Sequence, residues 1–253
     1  MTLNEQVRQF WEAEICGTNP DLIGQAPMQS HEWYEAIEKH RYEVEPFIHA
    51  VAQFTRYHGK KVLEVGVGAG TDHLQWARAG AECYGVDLTD AAVEATRQRL
   101  ALYGFTSQLQ RTDAEHLPFE DATFDMVYSW GVIHHSERPE AIVAEIHRIL
   151  KPGGEFVGMM YQRPALASWD LWLKHGLLRG KPLRSLRDVI WHHMESIGTK
   201  AYTVNELRTM FGAFREFKGE PILTPYDTRH VPGWLKKFIP DSWGFFIALR
   251  VTK

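Results

Sequence analysis

Short apolar runs alternate along this chain with stretches in which apolar residues return every three or four positions. Val62, Leu63 and Val65 form a run of the first kind, and Gly66, Gly68 and Gly70 follow it at once. Thr71 and Asp72 then open a helical stretch that carries Leu74, Trp76 and Ala77 and stops at Gly80. A second strand, 82–86, closes on Asp87, and Asp90 is the expected N-cap of a helix through Leu100 and Leu102 that Gly104 ends. Residues 108–111 and 124–129 read as two more strands. Residues 141–150 read as a helix with Ile142, Ile146 and Ile149 on one face, and 155–161 as a fifth strand beyond the Lys151–Gly154 breaker. Strand and helix in strict alternation predict parallel strands joined by right-handed crossovers, the Rossmann-like doubly wound α/β class.

The flanks keep other rhythms. Residues 1–43 set Phe10, Trp11, Trp33 and Tyr34 among glutamates and predict one or two short helices around the turn formers Gly17, Asn19, Pro20 and Gly24. This arm either packs into the core or folds as a lid over the strand ends, where ligands bind in such sheets. From Val44 a helix is expected through Phe47, Ile48, Val51 and Phe54, with Pro46 in its first turn. Residues 162–202 are too long and too aromatic for a simple crossover and predict a helical cap. Thr203 and Glu206 match a capping box for a helix through Leu207 and Met210, and 243–251 reads as an apolar final strand.

Composition narrows the class. A chain of 253 residues, 44% hydrophobic, suffices for one α/β domain with a small cap. A net charge of -4 argues against general nucleic-acid binding, which shows a basic excess. Cys16 and Cys83 form no CxxC, and the N-terminus has neither a basic start nor a long apolar run, so a reduced cytoplasmic setting is expected. No stretch approaches the roughly 18 apolar residues of a bilayer span, and no stable membrane insertion is expected.

Several residues could carry chemistry. A glycine-rich turn between strand and helix either packs the two closely or lets a ligand reach backbone N–H groups before a helix N-terminus. Asp87 stands 21 positions beyond Gly66 (87 minus 66), where this class places a carboxylate on a ribose diol; its competing role is a helix cap. The loop after the third strand carries Asp113 and Glu115, and a side-chain oxygen there can accept from an adenine amino group. His134 and His135, directly after the fourth strand, are candidate general bases, since imidazole titrates near pH 6.5. His192, His193 and Glu195 match no established zinc spacing, and no metal is expected. Lys174, Arg179, Lys181, Arg184 and Arg187, set among leucines, make either a solvated face or a basic rim for an anionic substrate or a membrane surface.

Four stretches, VLEVGVGAGTD, YGVDLT, DAEHLPFEDATFDMVYS and LKPGG, spread over 61–158, together resemble the class I S-adenosylmethionine-dependent methyltransferases, in particular the small-molecule branch. The glycines fall as GxGxG, with Thr71 where a nicotinamide fingerprint has its third glycine. The resemblance implies a sheet of seven strands, mostly parallel with an antiparallel last strand, S-adenosylmethionine as cofactor and S-adenosylhomocysteine as product. It implies that Glu64 and the backbone at Gly66, Gly68 and Gly70 hold the methionyl part, and that Asp87 binds the ribose with Leu88 beside the adenine. Asp113 and the N–H of Ala114 would read the adenine edge, and Ser129, Trp130 and Gly131 would end the fourth strand at the cofactor's sulfonium, whose methyl group faces the acceptor. Some sugar and natural-product O-methyltransferases of this branch are similar in having a His-His pair and an acidic residue after the fifth strand. Here Tyr161 stands in that second region and joins the histidines as a candidate catalytic residue.

The expected organisation is an arm or lid (1–43), a cofactor-binding half (44–161), a cap insertion (162–202) and a C-terminal helix and strands completing the sheet (203–253). The expected activity is methyl transfer to a small acceptor, amphipathic or anionic and not a nucleic acid. A hydroxyl oxygen is favoured over nitrogen or carbon, with His134, slightly ahead of His135, as base. The alternative is a non-catalytic adenosylmethionine-binding regulatory protein.

Overall fold

The computed structural model describes all residues, 1–253. The chain opens with α1 (Leu3–Ala13), α2 (Pro20–Ile23), α3 (His31–Val44) and α4 (Ile48–Ala52), then enters the sheet through β1 (Lys61–Val65). There follow α5 (Thr71–Arg78), β2 (Glu82–Asp87), α6 (Asp90–Leu102), β3 (Gln108–Arg111), β4 (Phe124–Trp130), α7 (Pro139–Ile149) and β5 (Leu150–Tyr161). Next come α8 (Leu166–His175), α9 (Leu186–His193), α10 (Val204–Met210), β6 (Glu216–Ile222), α11 (Gly233–Lys236) and β7 (Phe246–Thr252).

The seven strands lie in the order β3-β2-β1-β4-β5-β7-β6. β1 to β5 pair in parallel, and β7 runs antiparallel to both β5 and β6. The winding reverses between β1 and β4, so the loops leaving those two strands diverge and open a crevice beyond their carboxyl ends. Side-chain alternation sends Val62, Met126 and Tyr128 to one face, against Ile48, Trp76 and Leu100. It sends Leu63, Val65 and Val127 to the other, against Ile142, Ile146 and Leu207. Two apolar layers thus clamp the central strands and hold the crevice rigid.

Several boundaries differ from those the sequence suggests. Thr89, not Asp90, caps α6: its Oγ1 accepts from the Ala92 N–H at 3.3 Å, because Asp87 has already turned the chain by accepting from the Thr89 N–H. The single helix expected from Val44 to Phe54 is broken. α3 runs on to Val44, Pro46 supplies no N–H to continue it, and the chain restarts as α4 and a 3-10 turn at Phe54–Tyr57. Trp243 lies in a 3-10 turn ahead of the last strand, which begins at Phe246.

Candidate active site

At the end of β1 the backbone takes left-handed φ at Gly66, Gly68 and Gly70. Two of these glycines serve packing. A Cβ on Gly66 would meet Val132 Cγ2 at 2.2 Å, and one on Gly70 would press against Thr96 at 3.0 Å. At Gly68 a Cβ would meet nothing within 4 Å: that part of the loop faces open space, and only φ +54 demands a glycine. The Gly68 N–H donates to Asp87 Oδ2 at 3.2 Å, while Asp87 Oδ1 accepts from the Thr89 N–H and hydroxyl at 3.0 and 2.8 Å. Burial pushes the Asp87 carboxyl above its ordinary pKa, against these hydrogen bonds.

Glu64 lies under the loop, buried, with Oε2 3.0 Å from His73 Nδ1. The Ser107 hydroxyl donates to the Cys83 carbonyl at 2.8 Å, so its oxygen accepts from His73 Nε2–H at 2.9 Å. His73 Nδ1 therefore presents a lone pair, and the proton in the contact belongs to Glu64. Burial and the Asp72 charge hold the Glu64 carboxyl well above its ordinary pKa, and burial drops His73 to about 4, which agrees with a neutral pair. The other Glu64 oxygen has no hydrogen-bond partner, and the residue lines the cavity.

That cavity, of about 950 Å³, occupies the crevice. Glu64, Gly66, Gly68, Asp87, Leu88, Asp113, Ala114, Trp130, His135 and Tyr161 all line it, so most of the residues singled out in the sequence meet in one space. Gly70, Ser129 and His134 do not. Ser129 is fully buried and its hydroxyl ties β4 to β1 through the Val65 carbonyl at 3.0 Å. His134 is also fully buried, its ring 3.9 Å from that of Tyr161, and neither ring nitrogen has a hydrogen-bond partner. Burial first, with the Lys200 charge nearby, keeps its pKa well below the ordinary value.

His135 reaches the cavity. The Thr199 hydroxyl donates to the Ser196 carbonyl at 2.7 Å, leaving its oxygen to accept from His135 Nδ1–H at 3.0 Å. The Ser196 hydroxyl lies 2.9 Å from the same Nδ1, and Nε2 is buried 3.3 Å from Glu195 Oε2. The Tyr161 hydroxyl donates to the same carboxylate oxygen at 2.9 Å; burial first, and Glu195 second, hold the phenol protonated. Glu195 reaches this position from just past α9, with φ +51, in the left-handed region. His134, His135 and Glu195 also bring ligand-type atoms within 4.8 Å of one another, close enough for a cation to draw them together.

The arm forms one wall. Asn4 Nδ2 donates to Asp113 Oδ2 at 2.9 Å and to Glu115 Oε1 at 2.8 Å, and Glu12 accepts from the Asp90 and Ala91 N–H groups at the start of α6. Further along, buried Asp72 accepts from Arg41 at 2.8 Å and from the Tyr42 and Tyr128 hydroxyls at 2.9 Å each. Arg41 also pairs with Glu45, which accepts from Trp130 Nε1 at 2.6 Å. Burial opposes the Asp72 charge, but Arg41 and the phenols hold its pKa below the ordinary value. Asn4, Arg41, Glu45, Asp72 and Glu195 all line the cavity, and none was expected there from the sequence. The i,i+4 spacing of Arg41 and Glu45 was the one local signal.

Comparison with known proteins agrees with this geometry. Residues 63–158 match a family model described as a methyltransferase domain. The chain is 35% identical over 144 residues to a phthiotriol/phenolphthiotriol dimycocerosates methyltransferase of Mycobacterium ulcerans, a match covering 54% of this chain and 49% of that protein. It is 33% identical over 125 residues to a fatty-acid O-methyltransferase of Mycolicibacterium smegmatis, covering 49% of this chain and 44% of that one. The matches thus span about half the length of these relatives. An S-adenosylmethionine-dependent methyltransferase from Mesorhizobium loti shares the fold at a TM-score of 0.59, with 18% identity, over 81% of this chain and 96% of that one.

Proposed function

We infer that this chain, whose residues 63–158 match a methyltransferase-domain model, transfers the methyl group of S-adenosylmethionine to a hydroxyl of a small amphipathic acceptor. The observation that carries this reading is the shared cavity: the glycine loop with Asp87 and the His135–Glu195–Tyr161 group open into the same space. The residues fit the cofactor. Asp87, at the mouth of the loop, keeps acceptor capacity for a ribose diol; Glu64 offers an unpartnered oxygen to an ammonium; Gly68 leaves room above the backbone; and Asp113 stands at the tip of β3 for the adenine edge. The cavity volume, near the top of the roughly 300–1,000 Å³ range of small-molecule sites, suits a nucleoside cofactor with an acceptor beside it.

When bound, the cofactor supplies a methyl group on a positively charged sulfur. The protein's part is to align the acceptor oxygen, keep water out and take a proton. His135 is the base in this reading: the residue lines the cavity, Nδ1 is held by the Thr199 and Ser196 hydroxyls, and the Glu195 carboxylate 3.3 Å from Nε2 stabilises the imidazolium once formed. Tyr161 fixes Glu195 by donating to it. His134 serves as the packed support on which Tyr161 lies. The remaining lining is largely apolar, with Phe10, Trp11, Ile15, Leu171 and Phe245 among it, which favours an acceptor with a hydrocarbon part. The two curated relatives, by name, act on lipids of that kind.

The test is an assay of S-adenosylhomocysteine release across hydroxylated fatty and polyketide-like acceptors. His135→Gln is expected to lower turnover about 100- to 10,000-fold while cofactor affinity holds. Unchanged turnover in that variant would remove His135 as base.

A further inference from the structure

The outer side of the cap presents what a folded surface normally hides. Leu183 is 98% exposed, Leu178 72% and Trp234 69%, with Phe238, Leu177 and Trp169 also exposed nearby in the chain. Each such side chain leaves in water apolar area that burial would stabilise. Scattered singly they would mean little; grouped, they mark an interaction face.

Basic residues dominate this face, with Asp170 and Asp188 as the acids paired into it. Residues 174–187 hold Lys174, Arg179, Lys181, Arg184 and Arg187 with no acidic residue, and 229–237 hold Arg229, Lys236 and Lys237, again with none, in a chain whose net charge is -4. Arg179, Lys181, Lys236 and Lys237 take part in no ion pair, so their charge is free for a partner. The two segments form one surface because Asp170, on α8, takes both Lys174 at 2.6 Å and Arg229 at 2.9 Å. The elements beside them reach the cavity: Ala167 and Leu171 on α8, and Tyr226 and Arg229 ahead of α11, line it. The exposed face therefore lies next to elements that wall the acceptor space.

We propose that this face docks on an anionic lipid bilayer, with Leu177, Leu178, Leu183, Trp234 and Phe238 at the acyl boundary and the free lysines and arginine among the headgroups. Long basic side chains suit that arrangement, since their stems lie along apolar surface while the charge reaches phosphate. Each is attracted to an anionic surface, and the apolar residues add their burial. A second copy of this chain is disfavoured as occupant, because a two-fold contact would set cation against cation. No helix of the chain is long and apolar enough to cross a membrane, so the attachment is peripheral. Docking stands apart from the methyl-transfer reading; if both hold, the acceptor passes from the lipid layer straight into the cavity.

The experiment is co-sedimentation of the full chain with vesicles of phosphatidylcholine alone or mixed with phosphatidylglycerol, at low and high salt. Wild type is expected on the mixed vesicles and not on phosphatidylcholine alone. High salt and the double variant Leu178→Asp/Leu183→Asp are each expected to weaken it about tenfold or more. Both leucines lie outside the cavity, so S-adenosylhomocysteine binding by the variant reports that the fold is intact. Equal partition onto the two vesicle types, or equal binding by wild type and variant, overturns the proposal. So does a lipid-free dimer that the double variant dissociates, since the face would then belong to a second copy.

Discussion

Glu64 has the most consequential proton in the crevice. Its carboxyl is neutral beside His73 in the free protein, and an ammonium arriving at its other oxygen lowers the raised pKa and favours loss of that proton. Cofactor binding is therefore expected to release protons at neutral pH, read as a binding enthalpy that varies with the ionisation heat of the buffer. Identical enthalpies across buffers would contradict the neutral pair. The same shift bears on stability. A carboxyl with a raised folded pKa contributes stability that is complete below the unfolded value, about 4.3, and lost as pH climbs through the folded one. His73, lowered to about 4, acts on the acid side, its contribution falling away below about pH 6.5. Glu64→Gln is expected to flatten the upper slope in urea midpoints measured against pH. The two adjacent histidines should separate in kind: His134→Ala removes a fully buried ring packed on Tyr161 and is expected to cost about 2 kcal/mol of stability. Which of them faces the cavity was not legible locally, because neighbouring residues in a 3-10 turn point apart by an angle only the packed partners set.

At the level of elements, β1, β2, β4 and the helices α5 and α6 could be read closely, since each carries an apolar run or face and most end at a glycine or a cap. β6 could not. Its sequence, EFKGEPI, is polar and contains a proline, and it forms because an edge strand needs only one partner, β7. The arm's placement was equally hidden, being set by contacts about a hundred positions away in the sequence, such as Asn4 with Asp113. Those contacts make the arm structural as well as local to the site. Arg41→Ala would leave Asp72, 4% exposed, with its charge unpaired, and is expected to lower unfolding free energy by about 3 kcal/mol in urea. A loss below about 1 kcal/mol would mean that the tyrosine hydroxyls suffice without the arginine.

Across the whole molecule, a doubly wound sheet sets the crevice, the arm closes one side of it and the cap closes another. The sheet and the glycine loop follow from local patterning; the cap's outward face and the Glu195 carboxylate follow from how that segment's helices pack, which their periodicity does not announce. What unites them is the loop after β1, with Asp87 at its mouth and one cavity in front. The measurement that bears on this most directly is calorimetric titration of the wild type and Asp87→Ala with S-adenosylhomocysteine. One molecule is expected to bind per chain, with affinity about 10- to 100-fold weaker in the variant, the loss of one or two charge-assisted hydrogen bonds. No heat at millimolar ligand in a folded wild-type protein, or equal affinity in the two proteins, would contradict a nucleoside cofactor held by that carboxylate.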